Sequence, residues 1–240
     1  MDIQDKVVLI TGASGGIGLA TARLFAEAGA KVALAARSAD TLTTIVNELH
    51  EQHREAIVVP TDMRNKDAIE VLVDSVFQQY GRIDILINNA GQAVLGNVAD
   101  VDIDQFRQIF ELNVLGPVEA IQAIIPKMHQ NGGGLIINVS SMVTKMHLPA
   151  ISAYAATKAA LNMISDTARE ELASENIRIT TMLPRATATN FGKNSLATPK
   201  TNQLRPPQGG PEPDSAEAVA QKILEAARNE PHEQYMDRYV

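Results

Sequence analysis

The chain has 240 residues, of which 45% are hydrophobic and 20% charged, and its net charge is -7. A chain of this length can bury one sizeable core and predicts a single domain, while the acidic balance argues against nucleic acid or an anionic membrane surface as the main partner. With no cysteine there is no disulfide, thiolate nucleophile or Cys-ligated metal, and His50, His53, His129, His147 and His232 form no metal pattern, so no metal is expected.

The polar, acidic start from Met1 to Lys6 does not read as a signal peptide, and no apolar run approaches membrane-spanning length. A cytoplasmic location is the default expectation. Lys6-Val7-Val8-Leu9-Ile10 predicts a first buried strand. It breaks into the turn Thr11-Gly12-Ala13-Ser14-Gly15-Gly16-Ile17-Gly18. A helix follows, with Ile17, Ala20, Leu24 and Ala28 on one face and Gly29 as its stop. Lys31 to Ala35 is a second strand, and Leu42, Ile45, Val46 and Leu49 mark the next helix. Ala56 to Val59 is a third strand, and a helix runs through Ile69, Leu72, Val73, Val76 and Tyr80 to Gly81.

Asp84 to Asn88 is a fourth strand. A long helical region from about Asp104 to Met128 should be kinked by Pro117. Leu135 to Val139 and Ile177 to Met182 are the fifth and sixth strands, with the helix of Tyr154 and Lys158 between them. Thr198 to Pro213 is rich in proline and reads as a loop, and the segment about 190–213 is expected to act as a substrate-binding loop or lid. Asp214 and Glu217 have capping spacing before a last helix with Val219, Ile223 and Leu224.

Near-continuous apolar strands alternating with amphipathic helices predict an α/β fold, a doubly wound parallel sheet with helices on both faces. Residues 1–240 are taken as one such Rossmann-fold domain. Ligands of these sheets bind beyond the carboxyl ends of the strands, where strand order reverses. The glycine-rich turn, Asn88 onward, Val139 onward and Pro184 onward all fall at those ends.

The glycine-rich turn joins a strand to a helix, so backbone can approach a pyrophosphate and the helix N-terminus offers free N–H groups. Its spacing is Gly-x-x-x-Gly-x-Gly, and it is not a P-loop, since no Gly-Lys-Ser/Thr follows. Tyr154 and Lys158 stand four apart and point from one helix face. At ~4 Å and an effective dielectric of ~20, the ammonium would favour a phenolate by about 4 kcal/mol, roughly three pKa units. That would let Tyr154 trade protons with a substrate oxygen. The pair alone is a weak signal; it gains weight from the rest of the chain.

From Lys6 to Thr189 the chain resembles the short-chain dehydrogenases/reductases, in their single-domain branch. The resemblance rests on Thr11 to Gly18, Asp62, Asn88-Asn89-Ala90-Gly91, Asn113, Ser141, and Tyr154 with Lys158, in that order. It implies cofactor contacts from Gly12, Ser14, Gly16, Ile17 and Gly18, from Asp62 to the adenine and Met63 through its backbone, and from Asn89, Ala90 and Gly91. It further implies that Thr187 and Thr189 contact the nicotinamide end, and that Tyr154 and Lys158 hold its ribose. The catalytic set it implies is Asn113 on a water of a proton relay, Ser141 on the substrate oxygen, Tyr154 as general acid or base, and Lys158 as its activator. At the second strand's end, where NAD-preferring relatives carry an acid, stand Ala36 and Arg37. A guanidinium can pair with a 2′-phosphate, so NADP(H) is expected in preference to NAD(H), although many NADP-using relatives carry a basic residue where Gly15 stands.

The sequence departs from the family at Arg185, where relatives have glycine after the proline. Arg185 would be strained if φ there is positive, or would face the active-site mouth and attract an anionic substrate. Met142, Met146, Leu148, Ile151 and Phe191 suggest an apolar pocket. Ala155, Ala156 and Ala159 fit close helix packing in a homodimer or homotetramer. The expectation is therefore an NADP(H)-dependent oxidoreductase, a carbonyl reductase interconverting a small-molecule ketone or aldehyde with an alcohol. Its rivals are a catalytically silent NADP(H)-binding sensor or scaffold on the same fold, and a sugar-nucleotide epimerase or dehydratase, for which little chain follows Thr189.

Overall fold

The computed structural model describes residues 1–197 and 212–237. Residues 198–211, which include most of the expected lid, lie outside the described residues.

Chain order begins with β1 (Val7–Thr11), α1 (Gly16–Glu27), β2 (Lys31–Ala36), α2 (Ala39–Glu51), β3 (Ala56–Pro60), α3 (Lys66–Tyr80) and β4 (Ile85–Asn88). It continues through β5 (Val94–Leu95), α4 (Ile103–Phe110), a π-helical turn (Glu111–Leu115), α5 (Gly116–Gln130) and β6 (Gly134–Val139). After a 3₁₀ turn (Met142–Lys145) come α6 (Ser152–Leu172), β7 (Ile177–Leu183), β8 (Leu196–Ala197), α7 (Ala216–Asn229) and β9 (Glu233–Tyr235).

Seven strands form one parallel sheet in the order β3-β2-β1-β4-β6-β7-β9. Leu9 pairs with Ala33 on one side and Leu86 on the other. Alternate side chains of each strand point to opposite faces, and both faces are buried. Val8 and Ile10 pack with Phe25, Leu42, Ile45 and Ile223 from α1, α2 and α7. Val7 and Leu9 pack with Ile69, Leu72, Ile121 and Ile124 from α3 and α5. Such two-sided burial explains why these strands read as continuous apolar runs.

The strand order reverses between β1 and β4, so the chain leaves the sheet on both sides of one crevice, at Gly12 and at Asn89. Four local expectations are corrected. The six predicted strands are joined by β9 at the sheet edge and by a separate two-stranded pair, β5 with β8. The break in the long helix is the π-helical turn, where the Gly116 N–H reaches the Glu111 carbonyl. Pro117 sits in the first turn of α5, where its missing N–H does least harm. The cap of α7 is Ser215, whose hydroxyl accepts from Ala218 N–H at 3.0 Å, rather than Asp214. Finally, the run Ile103–Gln130 is long and apolar enough by length and composition to cross a bilayer, contrary to the sequence reading; here it packs on α3 and α6.

Candidate active site

The glycine turn fits a dinucleotide on its own geometry. Gly12 and Gly16 have φ of +68° and +53°, a region that side chains with a Cβ disfavour. A Cβ on Gly18 would lie 2.3 Å from the Gly12 carbonyl oxygen, and one on Gly12 would lie 2.9 Å from the Ala90 Cα. α1 begins at Gly16 with no side-chain cap and no acid in its first turn. Its first N–H groups and the positive end of its dipole are therefore open to an anion. Ser14 and Ile17 are half-buried in the same turn. Thr189 arrives from beyond β7 and lies 3.1 Å from a Cβ built on Gly16, so the Thr187–Thr189 segment and the glycine turn border one space.

Across the crevice, Thr11 organises the next loop. Its hydroxyl oxygen accepts from the N–H groups of Asn89 and Ala90, both at 3.0 Å. Asn89 Nδ2 donates back to the Thr11 and Gly12 carbonyls at 2.9 and 3.3 Å. Gly91 follows, and a Cβ there would lie 3.3 Å from Asn113 Oδ1 and 3.6 Å from Lys158 Nζ.

Asn113 is fully buried in the π-helical turn. Its side chain accepts from Gln92 N–H at 3.0 Å and donates to the Gln92 carbonyl at 2.9 Å and to Thr157 Oγ1 at 3.0 Å. The side chain is thus spent on holding the loop to α6. Its main-chain carbonyl would be satisfied from residue 117 in an α-helix, and Pro117 has no N–H.

Tyr154 and Lys158 are both buried on the first turns of α6. Lys158 Nζ donates to the Val139 carbonyl at 2.8 Å and lies 5.9 Å from the Tyr154 ring centroid. Burial pulls the Lys158 ammonium down to about 8. Burial pushes the Tyr154 phenol up to about 12, opposed by its hydrogen bond with Ser141. The shift of the phenol therefore runs opposite to the lowering expected from the ammonium, and desolvation is its cause. Ser141 is the serine that reaches the phenol; its neighbour Ser140 is buried and hydrogen-bonded to Asn162 instead. The Phe191 ring covers Tyr154 at a centroid separation of 5.5 Å.

At the far end of the crevice, Ala36 closes β2 and Arg37 is exposed beyond it. Asp62 does not cap α3; Asn65 does, accepting from Ala68 N–H at 3.1 Å. Asp62 is gripped by Arg64, and Met63 is buried with its carbonyl against Gly116.

Arg185 corrects the expectation of backbone strain. Its φ is not positive, so it carries no left-handed strain. Its Nε lies 3.3 Å from Asp214 Oδ2, and Nη2 donates to the Glu212 carbonyl at 3.3 Å. The guanidinium ties the end of β7 to the start of α7.

Three supports escaped the sequence reading. One is Arg64. Another is Gln92, whose side chain donates to the Asn194 carbonyl at 2.6 Å and fastens the segment carrying Phe191. The last is a buried chain in which Asn88 donates to Asn138 at 2.9 Å and Asn138 to Ser165 at 2.8 Å, pinning α6 to the sheet. Polar residues inside the apolar runs of β4 and β6 were the available signal for that chain.

A family model described as short chain dehydrogenase matches residues 6–200. An uncharacterized oxidoreductase of Staphylococcus aureus is 35% identical over 182 residues, 76% of this chain and 78% of that protein. The rat dehydrogenase/reductase SDR family member 7B is 34% identical over 230 residues, 93% of this chain and 71% of that protein. Among solved structures, a 7 alpha-hydroxysteroid dehydrogenase complexed with NADH and 7-oxo glycochenodeoxycholic acid aligns with a TM-score of 0.83 and 29% identity, covering 94% of this chain and 89% of that one. The matched span takes in the glycine turn, the Asn-Asn-Ala-Gly loop and the tyrosine helix together, and on that ground the chain belongs to the short-chain dehydrogenase family of nicotinamide-dependent oxidoreductases.

Proposed function

We propose that the protein is an NADP(H)-dependent oxidoreductase that interconverts a ketone or aldehyde with an alcohol. The observation that carries this reading is the buried pair Tyr154 and Lys158 with half-buried Ser141 hydrogen-bonded to the phenol. The nicotinamide, when bound, supplies hydride exchange with the substrate carbon. Gly12 to Gly18, Asn89 to Gly91, Thr187 and Thr189 would hold the cofactor, with Asp62 and Met63 at its adenine.

Ser141 orients the substrate oxygen through its hydroxyl. Tyr154 gives that oxygen a proton in reduction and takes one in oxidation. Lys158 supports the phenolate once the site is assembled, and the Asn113 carbonyl holds a water that returns the proton to solvent. The apolar surroundings, with Phe191 on Tyr154 and Met146 and Leu148 exposed nearby in sequence, suit a hydrophobic carbonyl compound. The steroid ligand of the hydroxysteroid dehydrogenase is of that kind.

For the cofactor, the lack of an acid at Ala36 and the presence of Arg37 favour NADP(H), although that same dehydrogenase is complexed with NADH. Self-association as a homodimer or homotetramer belongs to the same reading. Following loss of reduced-nicotinamide absorbance with apolar ketones, aldehydes and diketones, using NADPH and NADH in parallel, tests it. Turnover with NADPH at a kcat/KM well above that with NADH is expected. Equal or better turnover with NADH would remove the cofactor assignment.

A further inference from the structure

A ribose 2′-phosphate carries roughly -1.5 to -2 charges near neutral pH. The glycine turn from Gly12 to Gly18 has no basic side chain to meet it, and Arg37 supplies a single charge. The structure brings a second cation to the same rim. Thr61 N–H donates to the Ala36 carbonyl at 2.9 Å, so the exits of β2 and β3 run side by side. Arg37 follows one exit; Asp62 and Arg64 follow the other.

Arg64 folds back on Asp62 as a fork. Its Nε donates to Oδ1 at 3.0 Å and its Nη2 to Oδ2 at 2.6 Å, while the Arg64 main-chain N–H also donates to Oδ1 at 3.0 Å. A guanidinium has five N–H donors; two are used on Asp62, which leaves three along the opposite edge. The side chain is 37% exposed and so partly open to solvent. Asp62 is held below the usual carboxylate range by Arg64 first, and the charge of Arg37 contributes, which places all three groups in one electrostatic cluster. The cluster carries one net positive charge, as two arginines and one aspartate. The carboxylate also fixes the plane of the Arg64 fork, so little side-chain freedom remains to be lost when an anion arrives.

We propose that Arg64 is a second determinant of cofactor choice, pairing with the 2′-phosphate alongside Arg37 while Asp62 acts as its positioning residue. The inference rests on the NADP(H) reading and names the residue that completes it. The alternative is that Arg64 only neutralises Asp62.

Calorimetric titration of NADP+ and NAD+ into wild type, Arg64→Gln, Arg64→Lys and Arg37→Gln separates these. Losing a charge-assisted hydrogen bond to phosphate should weaken NADP+ binding about tenfold or more. In Arg64→Gln the NADP+ dissociation constant should therefore rise by that factor more than the NAD+ constant; any release of Asp62 at the adenine weakens both alike, and retained NAD+ binding reports an intact fold. Arg64→Lys should keep part of the preference, because the charge remains and the fork does not. Equal weakening of both cofactors in Arg64→Gln, or no change in either, would overturn the proposal. Wild type that binds NAD+ at least as tightly as NADP+ would instead show that the underlying cofactor reading has failed, before Arg64 is touched.

Discussion

Lys158 is an uncomfortable ammonium. It sits buried on α6 with the Val139 carbonyl at 2.8 Å, and burial holds it down at about 8, against about 10.4 in an unfolded chain. Between those values the unfolded chain binds a proton that the folded chain has lost, so stability rises with pH across that window. Below pH 8 both states are charged and the folded state bears the full cost. Lys158→Met removes the titration, so the unloaded variant should be more stable than wild type at pH 7, by at most on the order of 3 kcal/mol, with the gap closing toward pH 10.5. Denaturant unfolding at pH 7 and pH 10 measures it. A variant less stable than wild type at pH 7 would mean that the Val139 bond outweighs the burial. The same residue shows where sequence reasoning stops: the spacing of Tyr154 and Lys158 was legible, but the balance between burial and attraction depends on what else fills the site. Arg64 illustrates the same limit, since its fork on Asp62 exists only once the chain beyond β3 turns back on itself.

Elements place these residues, and the tightest placement is at the start of α1. Gly18 faces the Gly12 carbonyl, which a Cβ would approach to 2.3 Å, and Asn89 Nδ2, which it would approach to 2.6 Å. Neither neighbour can retreat without breaking the Thr11–Asn89 hydrogen bonds. Gly18→Ala should cost roughly 1–3 kcal/mol as an overpacking change and weaken cofactor binding in the same step, because the moved atoms belong to the turn that faces it. Thermal melting and a cofactor titration check the two effects; unchanged melting with unchanged affinity would contradict the packing account. The six long apolar strands and their helices were readable because each is held by its own periodicity. β5, β8 and β9 were not: two or three residues long, they exist only through their tertiary partners. The π-helical turn likewise leaves no mark on the hydrophobic pattern, and only Pro117 hinted that the long helix is irregular.

At the scale of the whole molecule, the sheet brings five separated segments to one crevice: the glycine turn, the Asn89 loop, the Asn113 turn, the Ser141 strand end and the first turns of α6. On the outer face of α6, Ala156, Ala159 and Met163 follow at helical spacing and are exposed, Met163 by 67%. If this face joins protomers, Met163→Glu should lower the mass seen by light scattering at fixed concentration, while an unchanged oligomer would place the interface elsewhere. In the proposed function this crevice performs proton transfer through one phenol. Tyr154→Phe removes only the hydroxyl, so the measurement is its turnover with NADPH and a carbonyl substrate, beside calorimetric binding of the cofactor. Binding within a few-fold of wild type and a fall in kcat of about a hundredfold or more are expected. Turnover close to wild type with intact binding would contradict that role for Tyr154 and move the acid to another group.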